Sequence, residues 1–258
     1  MSGFSASTLR NIHCVADIIR SSKKAVVLTG AGISTPSGIP DFRSTGSGLW
    51  ERYDPYEVAS LTSYRTHPEK FFDWLRTLGK GMQVAQPNSA HLELARLEQA
   101  GYIQTIITQN IDSLHQRAGA RHVLEVHGSM RTLSCGGCYR KYSAEGYFDK
   151  FLDEGVIPRC PECHNILKPD AVLFGEQLPA RIWLEAQAAS KTCDLMIVAG
   201  SSLEVLPVAG LPVRALDNGA HLVLINRSHT YIDVRADFLI REDVVDVIPL
   251  VAKEVLGE

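Results

Sequence analysis

Six short apolar runs constrain the fold of this chain more than any other feature of its sequence. Each run is apolar without the alternation of a half-buried strand and is bounded by turn residues, a pattern typical of strands buried in a parallel sheet. Between several runs, apolar residues at three- and four-residue spacing predict helices, as over 89–100 and 178–190. This alternation predicts an open, mostly parallel α/β sheet. The runs are Ala25–Thr29, Ile103–Thr108, Val123–Val126, Leu195–Ala199, His221–Ile225 and Asp237–Ile240.

Two stretches interrupt this alternation. Residues 44–88 are rich in aromatic side chains and their pattern predicts helices and loops. Residues 132–168 contain four cysteines and little continuous apolar sequence. We expect both to be insertions that form a smaller domain over the carboxyl edge of the sheet, which is where ligands bind in such folds.

The composition excludes several classes of protein. The 258 residues include 26 Lys and Arg against 29 Asp and Glu, so the net charge of −3 provides no bulk positive field for a nucleic-acid backbone. No apolar run approaches the ~20 residues of a membrane-spanning helix. The first 20 residues lack the basic and apolar stretches of a signal peptide. We therefore expect a cytoplasmic protein that binds neither membranes nor, directly, nucleic acid.

The first apolar run leads into the turn Gly30-Ala31-Gly32-Ile33-Ser34. Glycines let a backbone turn tightly and approach a pyrophosphate, whose charge is met by amide N–H groups at the following helix start. Thr35 stands where the dinucleotide fingerprint has its third glycine, so a tight turn without a ligand is the alternative. The prolines and glycine within 36–40 prevent an immediate long helix and predict a loop that holds Asp41-Phe42-Arg43.

Polar or small residues also follow four further strands at the same predicted edge. They are Thr108-Gln109-Asn110-Ile111-Asp112, His127-Gly128, Gly200-Ser201-Ser202 and Asn226-Arg227. Side chains at the carboxyl ends of parallel strands point into the ligand crevice. Asn226 could hydrogen-bond a ribose there, and His127 is a candidate general base because histidine changes charge near neutral pH. The alternatives are Asn110 or Asp112 as a helix cap, a structural histidine, and plain β–α turns.

Four of the six cysteines form two closely spaced pairs. Cys135 and Cys138 are separated from Cys160 and Cys163 by 21 residues, and all four lie within 29 residues, which indicates a metal rather than disulfides. Four thiolates suit tetrahedral zinc and leave no position open for water, so we predict one structural Zn²⁺ ion. An iron–sulfur cluster and His164 as a substitute ligand are the alternatives. Two further thiols are expected to be simply buried, Cys14 and Cys193.

Together these motifs resemble those of the sirtuins, the NAD-dependent protein lysine deacylases. The resemblance covers about residues 20–245 in the family's order and rests on 30–43, 108–112, 127–128, the cysteine pairs, 169–176 and 200–203. It implies an NAD-binding, Rossmann-like domain of residues 1–43, 89–131 and 169–258. The small domain would then comprise the helical insertion 44–88 and the zinc-binding module 132–168. Because the chain has essentially no terminal extension, a minimal enzyme of bacterial or archaeal type is expected.

The resemblance also implies a reaction. Family members cleave the nicotinamide–ribose bond of NAD and capture the C1′ carbon with the acyl oxygen of a modified lysine, giving nicotinamide, O-acyl-ADP-ribose and free lysine. Asn110 and Asp112 would hold the ribose and the nicotinamide amide, with Ile111 beside the ring. His127 would deprotonate a ribose hydroxyl, and Asp243 would approach the adenine through its backbone. The other residues of the NAD site would be Gly30, Ala31, Gly32, Ser34, Thr35, Phe42, Arg43, Gln109, Gly200, Ser201, Ser202, Asn226 and Arg227.

In this family the acyl-lysine peptide binds as an added strand, here expected between 172–176 and 203–206. Strand addition depends on main chain more than on side chains, which predicts broad sequence tolerance. The acyl-lysine would pass through an apolar tunnel near Phe42, His127, Val172 and Phe174. The predicted substrate-binding residues are Val172, Phe174, Gly175, Glu176, Leu203 and Val205.

The resemblance also bears on which acyl group is removed. Family members that remove succinyl or malonyl groups carry Tyr-x-x-Arg in the helix after the aromatic loop, and the aligned positions here are Leu75 and Leu78. A carboxylate left unpaired in an apolar pocket is costly, so acetyl and longer apolar groups are favoured. Arg76 would come closer if the alignment slipped by one residue. The alternative functions are a mono-ADP-ribosyltransferase at the same NAD site, a non-catalytic NAD-sensing module and, as a third class, an enzyme that transfers hydride.

Overall fold

The computed structural model describes residues 3–41 and 48–258, and its main feature is a six-stranded sheet. Its strands are β1 Ala25–Thr29, β2 Thr105–Thr108, β3 Val123–Glu125, β7 Leu195–Ala199, β8 His221–Ile225 and β9 Phe238–Ile240. They lie in the order β3-β2-β1-β7-β8-β9, and every neighbouring pair is parallel. The predicted parallel α/β sheet is therefore confirmed.

Helices cover both faces of this sheet, which is why its strands are apolar without alternation. In β1, Ala25 and Val27 pack into a core with α1, α5 and α10, whereas Val26 and Leu28 pack on the opposite face with α8 and α9. Helices α5 and α8 lie within one or two residues of the two predicted helical patterns. The helices are α1 Ala6–Ser21, α2 Pro55–Val58, α3 Leu61–Thr66, α4 Pro68–Val84, α5 Ser89–Gln99, α6 Leu114–Arg117, α7 Tyr147–Glu154, α8 Ala180–Thr192, α9 Leu211–Asp217 and α10 Val244–Leu256.

The strand order places a topological switch point beside β1. From β1 the chain proceeds to β2 and β3 on one side, and later to β7, β8 and β9 on the other. The crevice at the carboxyl ends of β1 and β7 is where a ligand binds in an open sheet of this kind. The glycine turn that follows β1 lies at this crevice and continues as two short 3₁₀ helices, Ala31–Ile33 and Thr35–Ser37, instead of a long helix.

The two predicted insertions contribute to one shared apolar core. Three antiparallel strands, β4 Thr132–Cys135, β5 Lys141–Ser143 and β6 Leu167–Pro169, form a small second sheet in the order β5-β4-β6. Beside it, the aromatic face of α4 packs against α7, with the Phe72 and Phe151 rings 5.4 Å apart. The exact division of the chain into two domains stays a prediction. Among residues 3–41 and 48–258, no helix is long and apolar enough to cross a membrane.

Candidate active site

Two glycine turns pack directly on each other at the switch point. The Gly32 amide donates a hydrogen bond to the Gly200 carbonyl oxygen over 2.9 Å. A Cβ atom at Gly32 would lie 2.8 Å from that oxygen, and one at Gly200, whose φ is +63°, would lie 2.4 Å from the Ile33 nitrogen. The sequence predicted that these small residues allow the close approach of a nucleotide. The structure shows that they also allow the two turns to approach each other closely.

Hydrogen bonds connect the polar residues that follow β1, β2 and β7. Asn110 Nδ2 donates to the Gly30 carbonyl oxygen (3.1 Å) and to Ser34 Oγ (3.0 Å). Ser34 Oγ in turn donates to Asp112 Oδ2 over 2.7 Å. Gln109 Nε2 donates to Ser201 Oγ over 2.8 Å. The side chains that were predicted to converge at one sheet edge therefore do so.

His127 is held beside this network by its ring and by its backbone. Its Nδ1 atom lies 3.0 Å from the backbone carbonyl oxygen of Gln109, which can only accept a hydrogen bond. Nδ1 therefore carries the proton in the neutral ring, and the lone pair is on Nε2. The His127 carbonyl accepts from the Val172 amide (2.8 Å), and a Cβ at Gly128 would lie 2.0 Å from the Asp170 carbonyl oxygen.

Asp112 takes part both in the network and in helix capping. Its Oδ1 atom accepts from the Leu114 amide (2.9 Å) at the start of α6, while Oδ2 accepts from Ser34. Burial raises the pKa of this carboxyl, and these two hydrogen bonds partly oppose the rise. The sequence offered Asp112 either as a helix cap or as a site residue. The structure shows both, because Oδ1 caps α6 and Oδ2 belongs to the network.

Behind this network lies a pair of buried histidines that the sequence analysis did not single out. His91 Nε2 lies 3.4 Å from Ser34 Oγ, and His115 Nε2 lies 2.9 Å from Thr29 Oγ1. The two rings are 4.8 Å apart. Burial lowers the pKa of His91 to about 4, and burial together with His91 lowers the pKa of His115 well below its ordinary value. Both rings are therefore neutral near pH 7 and serve as fixed donors beneath the site. The two histidines are 24 positions apart in the sequence, and only their contact marks them as a pair. Periodicity does not reveal such a contact.

The predicted adenosine end lies at the carboxyl end of β8. Asn226 is buried and donates to the Ser228 carbonyl oxygen over 2.8 Å, so its amide is fixed in orientation. The exposed Arg227 lies 3.4 Å from Asp243, whose other carboxylate oxygen caps α10 through the Val245 amide. The other predicted NAD-site residues are distributed around the network. Ala31 and Ile111 line the cavity beside it, Thr35 donates to the Gly32 carbonyl oxygen, and Ser202 is half-buried. Phe42 and Arg43 lie outside the described residues.

A cavity of about 870 Å³ extends from the network into an apolar region. Its polar end includes Gln109, Asn110, Asp112 and His127. Its apolar end is formed largely by one face of α4, which contributes Phe71, Trp74, Leu75, Leu78 and Met82. Only Leu75 and Leu78 were singled out in the sequence, although the spacing of all five residues marks one helix face.

Arg76 is directed away from the cavity. Its Nε and Nη2 atoms donate to the carbonyl oxygens of Leu152 and Asp153, over 2.8 and 2.7 Å, at the carboxyl end of α7. The guanidinium therefore caps a helix that would otherwise expose unpaired carbonyl groups. The one-residue shift of the alignment that would bring Arg76 to the acyl group is therefore excluded. Leu75 and Leu78 are the residues that face the cavity.

The predicted peptide-binding segment 172–176 is partly paired already. The Phe174 amide donates to the Ala59 carbonyl oxygen, and the Phe174 carbonyl accepts from the Leu61 amide, both over 3.0 Å. Val172, Phe174, Gly175 and Glu176 all line the cavity. The Val172 and Glu176 amides are also engaged, by the carbonyl oxygens of His127 and Leu173. An added strand would therefore have to pair with the other main-chain groups of this segment.

The opposite segment, 203–206, contributes unevenly. Val205 and the neighbouring Leu206 both line the cavity, although Leu206 is 78% exposed. The Leu203 side chain, in contrast, is buried in the core beneath the sheet and does not line the cavity. Any contact of Leu203 with a peptide would therefore be made by its backbone.

The four paired cysteines converge, as predicted for a metal site. Their Sγ atoms all lie within 4.8 Å of one another, with Cys135 and Cys163 3.3 Å apart and Cys138 and Cys160 3.5 Å apart. Zn–S bonds of about 2.3 Å imply sulfur–sulfur separations of about 3.8 Å in a tetrahedron, so the group fits one zinc ion. The set does not include His164.

Side chains outside the group form hydrogen bonds with two of these sulfur atoms. Tyr142 Oη lies 3.1 Å from Cys160 Sγ, and Asn165 Nδ2 donates to Cys163 Sγ over 3.4 Å. Such partners orient metal ligands and stabilise their thiolate form. Cys193 is buried as expected, whereas Cys14 is only half-buried, because it lies beside the buried stripe of α1 and not within it.

The Rossmann-like sheet, the polar network at its switch point and the four-cysteine module define a dinucleotide-binding α/β enzyme with a cysteine group that fits one zinc ion. The model of the Sir2 family matches residues 30–207, and this chain belongs to the Sir2 family. The predicted family, and with it the prediction of an NAD-dependent enzyme of the deacylase class, is confirmed.

The sequences and structures of known proteins match this chain over almost its whole length. The NAD-dependent protein deacylase 2 of Archaeoglobus fulgidus is 45% identical over 245 residues, which cover 95% of this chain and 96% of that protein. The NAD-dependent protein deacetylase 2 of Caldanaerobacter subterraneus is 47% identical over 227 residues, or 88% of this chain and 89% of that protein. A solved Sir2 variant with a deacetylated p53 peptide and 3′-O-acetyl-ADP-ribose matches with a TM-score of 0.87 at 41% identity, covering 93% and 96% of the two chains.

Proposed function

We propose that this chain removes acetyl and other apolar acyl groups from protein lysines with NAD as co-substrate. One observation carries the proposal: the network that joins the strand ends lies on the wall of a cavity whose other end is apolar. The polar end suits a ribose and a nicotinamide amide, and the apolar end suits an acyl-lysine side chain. A single cavity thus brings both reactants together.

NAD supplies the chemistry, because loss of neutral nicotinamide makes its C1′ carbon electrophilic. Asn110 and Asp112, fixed through Ser34, hold the ribose and the nicotinamide amide. His127 takes a proton from a ribose hydroxyl at Nε2, since its Nδ1 proton is directed to Gln109. The apolar lining of the cavity limits the access of water to the reacting carbon.

The overall reaction balances with one water. Two bonds break, the lysine amide C–N bond and the bond between the ribose C1′ carbon and nicotinamide. The acyl group becomes an ester of a ribose hydroxyl, and in the overall balance one water supplies the oxygen and the two hydrogens that complete the sugar and the amine. The released amine takes up a proton, and nicotinamide leaves as a neutral molecule. The zinc module takes no part in this chemistry and has a structural role. The removal of each acyl group therefore consumes one molecule of NAD.

The substrate is proposed to be an acyl-lysine peptide that lies as a strand between 172–176 and 203–206. Main-chain pairing predicts broad sequence tolerance, and Val205 and Phe174, one from each segment, line the cavity. We propose that the enzyme acts in the cytoplasm, in line with its composition. Leu75 and Leu78 offer no cation, which favours acetyl and longer apolar groups over succinyl.

The test is to incubate the purified protein with NAD and acetyl-, butyryl- and succinyl-lysine peptides, with all products read by mass. We expect one nicotinamide and one O-acyl-ADP-ribose for each acetyl or butyryl group removed, and little reaction of the succinyl peptide. Nicotinamide release without free lysine would instead indicate an ADP-ribosyltransferase. NAD binding without nicotinamide release would indicate a sensing module.

A further inference from the structure

We propose that Arg241 positions the adenosine end of NAD indirectly, by holding Asn226 in place. The inference rests on the proposed function, in which NAD occupies the crevice at the carboxyl ends of the strands. Arg241 is a positioning residue and needs no contact with NAD. It fixes Asn226 so that the side-chain oxygen of this residue accepts a hydrogen bond from a hydroxyl group of the adenosine ribose.

The guanidinium of Arg241 holds together the loop that follows β8. Arg241 comes directly after β9, and its Nη1 atom donates to the Asn226 carbonyl oxygen over 3.2 Å and also to the Ser228 carbonyl oxygen. Its Nη2 atom forms an ion pair with Asp233 and lies 2.9 Å from His229 Nδ1. A guanidinium can serve several acceptors at once because its N–H groups form a rigid, planar fork. Arg241 therefore connects the start of the loop to its end.

The carboxylate that pairs with Arg241 is itself fixed. The side chains of Arg241 and Asp233 are only 26% and 13% exposed. The Asp233 Oδ1 atom accepts from the Thr230 amide over 3.1 Å and from Thr230 Oγ1 over 2.7 Å. Removing one partner of a largely buried pair leaves the other charge uncompensated. We therefore expect the loop to lose its defined arrangement when the guanidinium is removed.

The side chain of Asn226 depends on the same loop but keeps one atom available. Its Nδ2 atom donates to the Ser228 carbonyl oxygen, which is one of the two carbonyl oxygens that Arg241 holds. Its Oδ1 atom accepts no hydrogen bond from residues 3–41 and 48–258. Although Asn226 is only 7% exposed, Oδ1 is not among the fully buried, unpartnered atoms. It is therefore an acceptor that a ligand can still reach.

The chemistry of this acceptor and its place in the sheet define the group that it binds. An amide oxygen only accepts, so the ligand must bring a donor, which a ribose hydroxyl does and a phosphate oxygen does not. Asn226 follows β8, which lies beside β7 on the side away from β1. The network that suits nicotinamide and its ribose joins the ends of β1, β2 and β7. The adenosine half of the same dinucleotide would thus reach the end of β8.

The experiment compares Asn226→Ala, Arg241→Met and the double variant. Steady-state kinetics with an acetyl-lysine peptide gives kcat and both KM values, and calorimetric titration gives Kd for ADP-ribose, which contains the adenosine ribose. Loss of one neutral hydrogen bond predicts that KM for NAD and Kd for ADP-ribose rise about three- to tenfold in each variant. We expect kcat and KM for the peptide to be unchanged. Because Arg241 acts through Asn226, the double variant should bind ADP-ribose no more weakly than Asn226→Ala alone.

Two further variants complete the comparison. Arg235→Met is the matched control, because Arg235 pairs with Asp217 on the surface, where the two side chains are 46% and 60% exposed. It should leave all four constants unchanged. Arg241→Lys retains a cation for Asp233, but one ammonium cannot replace the fork that also serves two carbonyl oxygens. We therefore expect KM for NAD to rise in Arg241→Lys as well, and thermal unfolding verifies that each variant is folded.

Unchanged binding of NAD and ADP-ribose in a folded Arg241 variant would overturn the inference. Effects of Asn226→Ala and Arg241→Met that add in the double variant would also contradict it, as would a fall in kcat without weaker binding. If Arg241→Met does not fold, Arg241→Lys alone and combined with Asn226→Ala decides the same question. If the unaltered protein binds ADP-ribose but consumes no acyl-lysine peptide, the proposed function fails, and the calorimetric comparison still tests the role of Arg241.

Discussion

Lys168 Nζ lies 3.0 Å from Glu176 Oε2, and the two side chains are only 17% and 19% exposed. The same ammonium donates to the carbonyl oxygens of Pro169 and Ala171, over 2.7 and 2.9 Å. Glu176 Oε2 also accepts from the Leu173 amide over 2.9 Å. The ion pair therefore closes the loop that carries Val172 and Phe174 to the cavity.

Replacing this lysine should impair peptide binding more than NAD binding. In Lys168→Met the Glu176 carboxylate is left without its cation, and breaking one partner of a largely buried pair is strongly destabilising. We expect KM for an acetyl-lysine peptide to rise about tenfold, with a much smaller change in KM for NAD, as measured by steady-state kinetics. Lys141→Met is the control, because Lys141 is 73% exposed and its pair with Asp170 contributes little. An unchanged peptide KM in Lys168→Met would show that the loop does not depend on this pair.

His127→Ala should abolish deacylation without abolishing NAD binding. A general base contributes about 10²- to 10⁴-fold, so kcat should fall by at least about a hundredfold. Calorimetric titration with NAD should still detect binding, since Ser34, Gln109 and Asn110 are unaltered. His221→Ala removes an exposed histidine at the opposite end of a strand and should retain full activity. Substantial deacylation by His127→Ala would exclude the histidine as the base.

The sequence was sufficient to predict the sheet and the position of the site. Buried strands must be apolar on both faces, and polar residues at their carboxyl ends must meet at one edge. From the sequence alone, those two facts predict that Asn110, Asp112 and His127 lie near one another. Likewise, the spacing of the cysteine pairs was sufficient to predict a four-thiolate group.

Contacts between residues distant in sequence could not be predicted in the same way. The packing of Gly32 on Gly200 and the pairing of His91 with His115 depend on how two loops or two helices approach each other. The direction of Arg76 depends on where α7 ends. Periodicity identifies the buried face of a helix, but it does not show what that face contacts.

Stability should fall as the pH drops from 7.5 to 5, because of His91. Burial lowers its pKa from 6.5 to about 4, so the unfolded chain binds a proton at a pH where the folded chain does not. The stabilisation is therefore fully present above about pH 6.5 and is lost as the pH falls towards 4, by about 2 kcal/mol at pH 5. His115 acts in the same direction. The free energy of unfolding in urea at pH 7.5, 6 and 5 measures the effect.

The histidine at position 91 can be separated from the other titrating groups by comparing variants. His91→Gln should flatten the dependence between pH 7.5 and 5, whereas His13→Gln should not, because His13 is 65% exposed. The same slope in His91→Gln as in the unaltered chain would contradict this assignment.

Introducing a cation into the apolar end should change the acyl preference. In a variant with Leu75→Tyr and Leu78→Arg, a carboxylate entering the cavity would find a partner, so we expect succinyl-lysine removal to appear and deacetylation to fall about tenfold. Peptide products read by mass measure both activities. Arg76→Leu, in contrast, should lower the melting temperature through loss of the α7 cap, without altering succinyl removal. A change in succinyl removal in Arg76→Leu would place that guanidinium at the cavity.

Removing zinc should unfold the cysteine module instead of slowing the reaction reversibly. The module is continuous with the site, because Asp170 donates its amide to Thr132 and accepts from the Ser129 amide beside His127 and Gly128. With four thiolate ligands the ion has no open position for substrate, so its loss acts through folding. We expect a strong chelator to release one zinc per chain, with loss of activity that parallels the loss of circular-dichroism signal. Cys163→Ser should be less stable and bind zinc more weakly. A zinc-free chain that keeps its fold but loses activity at once, with recovery on adding zinc, would instead place the metal in the chemistry.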